Sequence, residues 1–189
     1  MEDPEYDMTK SVMKGWIQTY SGRKVYPLDL EPDQICIEDI AHALSMKCRF
    51  TGHCDRFYSV AQHSVLVAAR VAKDNPELQR DALMHDAAEY ILPDVASPIK
   101  PYLTGFRELE HHVEKVIAKR FDLTFPRSPI IKHWDNVLVV TERAQLMKDV
   151  PALKWDVPAE CLKNYTIDCW SPEVAERNFL FWATMLGIR

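Results

Sequence analysis

The stretch Met84-His85-Asp86-Ala87-Ala88-Glu89-Tyr90-Ile91-Leu92-Pro93-Asp94 sets one imidazole and two carboxylates among apolar residues, with a third carboxylate just past a proline. Read as a helix, His85 and Glu89 are spaced i, i+4 and Asp86 and Glu89 i, i+3, so all three share a face. Charges on such a face need a partner, because burying an unpaired ion is costly. A divalent cation together with an anionic, phosphate-bearing ligand would supply it.

The His-Asp dipeptide alone is common by chance, and its meaning depends on what else can reach the same point. His63 stands upstream in the apolar run from Val60 to Val71, and Asp135 stands between Trp134 and Asn136 in a later segment. A histidine placed like His63, read by itself, is more often a satisfied core residue. Taken together, His63, His85, Asp86 and Asp135 form a mixed nitrogen and oxygen donor set suited to Mn, Fe, Co, Ni or Zn. Such a set leaves coordination positions open, as hydrolytic metal sites require.

These residues have to be delivered by several elements. Trp16–Tyr20 and Lys24–Tyr26 are short β-prone runs separated by Ser21-Gly22, which predicts a hairpin; its aromatic residues serve either as a lid on the core or as one wall of a ligand pocket. Pro32-Asp33 is expected to open a helix with Ile37, Ile40, Ala41 and Leu44 on its inner stripe. A second helix from about Tyr58 carries His63. Asn75-Pro76 is an N-cap and first-turn pair and should start a helix that runs continuously through His85 and Glu89 until Pro93 stops it. Ending there would turn Asp94 into the pocket. Further amphipathic helices are expected over Phe106–Phe121, from Ser128-Pro129 to about Lys148, and from Ser171-Pro172 onward, the last with Val174, Phe179, Trp182 and Leu186 inward. Residues 150–170 read as irregular. The expectation is an all-α, single-domain helical bundle over 15–189, with a small N-terminal β-hairpin and a loosely docked leader over 1–14.

Bulk properties narrow the function classes. A chain of 189 residues can bury a core of ordinary size, and 47% hydrophobic with 27% charged residues is ordinary globular composition. The net charge of −5 argues against long nucleic acid as the main partner. Five cysteines with no CxxC pair suggest no disulfide framework and a reducing, cytoplasmic setting. No apolar run approaches the roughly 20 residues needed to span a bilayer, so no membrane association is expected.

The run Phe57-Tyr58-Ser59-Val60-Ala61-Gln62-His63-Ser64, then His85-Asp86-Ala87-Ala88-Glu89, then Asp135, resembles the HD-domain metal-dependent phosphohydrolases. Within that superfamily it is most similar to 5′-deoxynucleotidases and phage-type deoxynucleoside triphosphohydrolases, including dATP-specific ones. The resemblance spans about residues 16 to 148. It includes Ile40-Ala41-His42-Ala43-Leu44-Ser45, Cys48-Arg49-Phe50-Thr51-Gly52-His53 and Ser97-Pro98-Ile99-Lys100.

The resemblance implies that His63, His85, Asp86 and Asp135 are metal ligands, with Mg joining the metals named above. It implies that Glu89 and Asp94 are catalytic carboxylates beside the attacked phosphate, and that Arg49 and Lys100 bind phosphate. It places Phe50 where relatives carry a Trp beside sugar and base, which keeps an aromatic face and loses an indole N–H. The implied substrate is a nucleotide, with a deoxynucleoside triphosphate favoured and a deoxynucleoside monophosphate the alternative. Association into a homo-oligomer is implied as well. Since two ligands are His and all must be deprotonated, activity should fall below about pH 6. Three other readings stay open: a catalytically retired nucleotide-binding scaffold, a phosphodiesterase of cyclic or oligomeric nucleotides, and a structural zinc site from His42, Cys48, His53 and Cys54. His53 otherwise belongs to the rim of the main pocket, and His111, His112 and His133 to solvated helix faces.

Overall fold

A computed structural model describes residues 15–153 and 155–189, so the leader expected over 1–14 lies outside the described residues. The chain is mainly α-helical. A two-stranded antiparallel hairpin, β1 (Ile17–Gln18) and β2 (Lys24–Val25), pairs Ile17 with Val25. The turn uses Gly22 at φ +83°, a conformation open to glycine at little cost. Six helices follow among the described residues: α1 (Ile37–Met46), α2 (Val60–Asp74), α3 (Gln79–Leu83), α4 (Phe106–Phe121), α5 (Pro129–Leu146) and α6 (Pro172–Met185). None is long and apolar enough to cross a membrane.

α2 is the axis of the molecule, packed against α1, α3, α5 and α6. Ser59 caps it, its Oγ accepting from the Gln62 backbone N–H at 3.1 Å. Nearly every side chain from Val60 to Val71 is buried, as expected of a helix surrounded by others rather than facing water on one side. That burial takes in Gln62, His63 and Ser64. The Gln62 amide is satisfied at both ends, donating to the Asp168 carbonyl at 2.6 Å and accepting from Trp170 N–H at 2.9 Å. Those two bonds pin the irregular 155–171 segment across the core.

α5 begins at Pro129 under a Ser128 cap and α6 at Pro172 under a Ser171 cap, both as read from the sequence. The buried line of α6 is Ala175, Phe179 and Ala183. Phe179 faces inward as expected, while Trp182 and Leu186 are partly buried at the edge of the core. Pro32 does not open a long helix: a single 3₁₀ turn, Pro32–Gln34, is separated from α1 by extended residues Ile35 and Cys36. A capping box closes that turn, with the Gln34 side chain accepting from the Glu31 N–H at 3.0 Å.

The largest departure concerns the stretch around His85. The continuous helix expected from Asn75 to Pro93 is broken into a 3₁₀ turn at Pro76–Leu78, the short α3, and a second 3₁₀ turn at Ala87–Tyr90. Between them Met84 (φ −96°, ψ 7°) and Asp86 (φ −104°, ψ 15°) sit in the bridge region, where active-site residues recur. The reason is competition for carbonyls. In an α-helix the Ala82 carbonyl would accept from Asp86 N–H; here it accepts from the His85 ring Nδ1–H at 2.8 Å. The His85 carbonyl accepts from Arg127, and the Glu89 carbonyl accepts from Lys47. The i, i+4 face argued for His85 and Glu89 therefore does not exist. Pro93 is not the terminator either, since helical geometry ends at Tyr90.

A candidate metal centre

Two buried imidazoles meet at the broken turn. His63, fully buried on α2, and His85, 4% exposed, hold their rings 5.1 Å apart. Each ring is fixed through Nδ1: His85 donates to the Ala82 carbonyl, and His63 Nδ1 lies 2.6 Å from Glu142 Oε1. That leaves both Nε2 atoms buried and without a hydrogen-bond partner. Asp86 Oδ2 lies 3.1 Å from His85 Nε2 and 3.8 Å from His63 Nε2. The donor atoms of His63, His85 and Asp86 all fall within 4.8 Å of one another, so this group could hold a metal ion.

Two lone pairs and a carboxylate aimed at one point, each imidazole oriented from behind by an acceptor on its other nitrogen, fit a borderline divalent cation. Neither Nε2 makes a hydrogen bond of good geometry, but each has a carboxylate oxygen within 3.2 Å.

Asp135, the fourth expected ligand, sits on α5 with Oδ1 3.2 Å from His63 Nε2 and Oδ2 2.8 Å from Lys132 Nζ. It borders the triad and shares its second oxygen with a lysine. The protein also supplies a carboxylate that the sequence reading did not single out. Glu142 lies seven residues after Asp135, on the same side of α5, and is fully buried. It takes His63 Nδ1, the Tyr58 hydroxyl at 2.8 Å and Arg49 Nε at 3.1 Å. An acidic residue seven positions on from a candidate ligand, inside an apolar helix, was the available signal.

Arg49 also reaches Asp86, Nη1 to Oδ2 at 3.5 Å. Burial opposes its charge, yet Glu142, Asp86 and Asp135 outweigh that and push its pKa above the ordinary value. Burial likewise favours a neutral Asp86, but the two histidines hold it well below the usual carboxylate range. For His63, burial and Arg49 disfavour protonation, while Glu142 and Asp135 prevail and raise it to about 9. Glu89 goes the other way. Burial, then Asp86 and Asp94, push its carboxyl up to about 8, so it holds a proton at neutral pH, and its Oε2 is buried without a partner.

A cavity of about 360 Å³ opens beside the triad, lined by His85, Asp86, Glu89 and Asp135 on one side and by Lys100, Arg127 and Lys132 among the others. Lys100 is thus at the cavity, though paired with Glu110 at 2.7 Å. Arg127, unforeseen in the sequence, ties the His85 carbonyl to Glu114 on α4. Five expected residues are not on its walls, among them His63 and Arg49, which approach the site through Asp86. Asp94 is half-buried and acts on Lys47 and Glu89 electrostatically, so Pro93 does not turn it into this cavity. Phe50, at φ +54°, lies 5.9 Å from the Trp155 ring. His53 is exposed and is not part of the rim.

His42, Cys48, His53 and Cys54 form no ion-sized cluster among the described residues. His42 instead stacks on Tyr20 at 3.6 Å and bonds Glu176 at 3.1 Å. With Tyr20 and Tyr90 it lines a separate recess of about 290 Å³ under the hairpin, so the hairpin walls a pocket, but not the one beside the metal triad. His112 is also not on a solvated face, since its Nε2 is buried and lacks a partner.

No family profile matches the chain. Over 134 residues, 71% of this chain and 74% of the relative, it is 39% identical to the uncharacterized protein YfdR of Escherichia coli (strain K12). Over 144 residues, 70% of this chain and 74% of the relative, it is 37% identical to the uncharacterized protein RCAP_rcc00048 of Rhodobacter capsulatus.

Proposed function

We propose that this chain, which belongs to the family of YfdR and RCAP_rcc00048, is an HD-type metal-dependent phosphohydrolase of (deoxy)nucleotides, because it gathers two buried imidazole nitrogens and a carboxylate at one point beside an open cavity. The favoured substrate is a deoxynucleoside triphosphate of the dATP type, cleaved at the 5′ position, with a deoxynucleoside monophosphate as the alternative. The observation that carries the reading is the convergence of the two buried Nε2 atoms, each held in orientation through Nδ1, with the Asp86 carboxylate within 4.8 Å.

A divalent ion held there supplies Lewis-acid polarisation of a phosphoryl oxygen and a more acidic water. The chain's own residues supply the rest. Lys100 on the cavity wall, and Arg49 beside Asp86, would place positive charge near a phosphoryl group, the main electrostatic task in phosphoryl transfer. Glu89, protonated at neutral pH and lining the cavity, can hand its proton to the leaving oxygen. Asp94 acts through its field on Lys47 and Glu89.

The test is a panel of dNMPs and dNTPs incubated with the protein and Mn, Co, Mg or Zn, with products separated by chromatography. Released triphosphate or phosphate, dependent on added metal, is the expected result, and the identity of the released group decides between the two substrate classes. Nucleotide binding without release under any metal would replace the enzyme with a binding scaffold.

A further inference from the structure

The metal triad and the arginine paired with its aspartate are held by one side chain that belongs to neither. Glu142 is fully buried on α5, and three donors converge on its two oxygens. Oε1 takes the His63 Nδ1 at 2.6 Å and the Tyr58 hydroxyl at 2.8 Å; Oε2 takes Arg49 Nε at 3.1 Å. His63 then presents Nε2 to the triad, and Arg49 presents Nη1 to Asp86. Each residue meets Glu142 with one edge and the site with the other.

We propose that Glu142 is a positioning residue with two simultaneous tasks, setting the tautomer and ring angle of His63 and aiming the Arg49 guanidinium. The inference rests on the metal-site reading above but not on turnover.

The chemistry explains why a glutamate is used. A carboxylate accepts several hydrogen bonds and makes its charged pairs the stronger ones. Acceptance from Nδ1–H forces the His63 lone pair onto Nε2, the arrangement that orienting partners of metal-bound histidines provide. The opposite oxygen fixes Arg49 through Nε and leaves its Nη edge turned to Asp86 and the site. Burial makes the arrangement stiff, since removing Arg49 would leave the buried Glu142 charge without its permanent counter-ion. Tyr58, fully buried, fills the second acceptor site of Oε1.

A glutamine at 142 keeps the shape, accepts through one oxygen only and carries no charge. The experiment compares wild-type protein with Glu142→Gln in three measurements. Cobalt(II) binding is followed by its visible absorption. Binding of inorganic phosphate to metal-free protein is followed by calorimetry. The zinc-loaded protein, labelled with ¹⁵N-histidine, is examined by NMR for the imidazole N–H signals.

The variant should lose about tenfold or more in cobalt affinity, the usual scale for an outer-shell partner, and several-fold in phosphate affinity. The wild type should show a strongly low-field His63 Nδ1–H with Nε2 as the ligating atom, and the variant should move that resonance upfield. An unchanged cobalt affinity, or an unchanged phosphate affinity, overturns the double role. Should Glu142→Gln fail to fold, the wild-type spectrum alone decides: a zinc-bound His63 with no low-field Nδ1–H overturns the inference.

Turnover separates the two proposals. Wild-type hydrolysis of nucleotides with both affinities unmoved in the variant would remove the role of Glu142 and leave the enzyme. Both affinities weakened in a protein that hydrolyses nothing would do the reverse.

Discussion

Asp86 is the residue on which most of the local field converges: it touches His85, approaches His63 and pairs with Arg49. Asp86→Asn keeps its volume and removes its charge. Metal-dependent turnover should fall to background, and cobalt affinity should drop at least tenfold in an absorption titration, with the far-UV circular dichroism retained. The titration of the metal-free protein gives a second test. His63 is raised from 6.5 to about 9 in the fold. A raised pKa contributes stability that is fully present below the unfolded value and is lost as pH rises through the folded one. The melting temperature of metal-free protein should therefore lose that contribution between about pH 6.5 and 9. Metal binding displaces the same proton, so the stabilisation by added zinc should grow over that interval. A zinc-induced shift that shrinks as pH rises would contradict this.

At the scale of elements, the decisive feature is the interrupted helix after Leu83. Two basic side chains from elsewhere hold it open, Arg127 on the His85 carbonyl and Lys47 on the carbonyls of Glu89 and Leu92. Lys47 comes from the end of α1, and burial pulls its pKa down against the opposing fields of Glu89 and Asp94. Lys47→Met removes the donors and leaves two carbonyls to find new partners. It should cost about 1–3 kcal/mol in a denaturant melt, the range for orphaned buried groups, with no loss of helix content. The hydrophobic spacing of this stretch suits a continuous helix, and that is why periodicity misjudged it. Periodicity reports which side chains avoid water, not which carbonyls are taken by side chains distant in sequence. By contrast, the starts of α2, α5 and α6 were legible because their caps are local: a Ser precedes the first turn, and in α5 and α6 a Pro occupies it.

For the molecule as a whole, α2 threads a bundle in which several separate elements each contribute a part of the centre. α2 brings His63, the broken turn brings His85 and Asp86, α5 brings Asp135 and Glu142, and the loop after α1 brings Arg49. The irregular 155–171 segment is tied to that axis through Gln62. Gln62→Leu keeps the volume and strands the Asp168 carbonyl and Trp170 N–H. It should lower stability by about 1–3 kcal/mol per stranded group and speed proteolytic cutting between residues 155 and 171. Phe179, fully buried where α6 meets the core, sets the scale for comparison. Phe179→Ala should cost about 3–5 kcal/mol in the same melt, and a loss below about 1 kcal/mol would mean that α6 is dispensable to the core.

The sequence by itself determined the helical class, the hairpin at Gly22, the bounds of α4 and the donors His63, His85 and Asp86, because these follow from side-chain type and from neighbours a few residues away. Only the tertiary structure decided that Glu89 lines the cavity while Asp94 and Phe50 stand off it. It alone broke the helix at His85 and put Glu142 behind both His63 and Arg49. Those outcomes depend on contacts across some 40 to 90 positions of chain, such as Lys47 to Glu89 and Arg49 to Glu142, and a hydrogen bond of that span leaves no periodic trace.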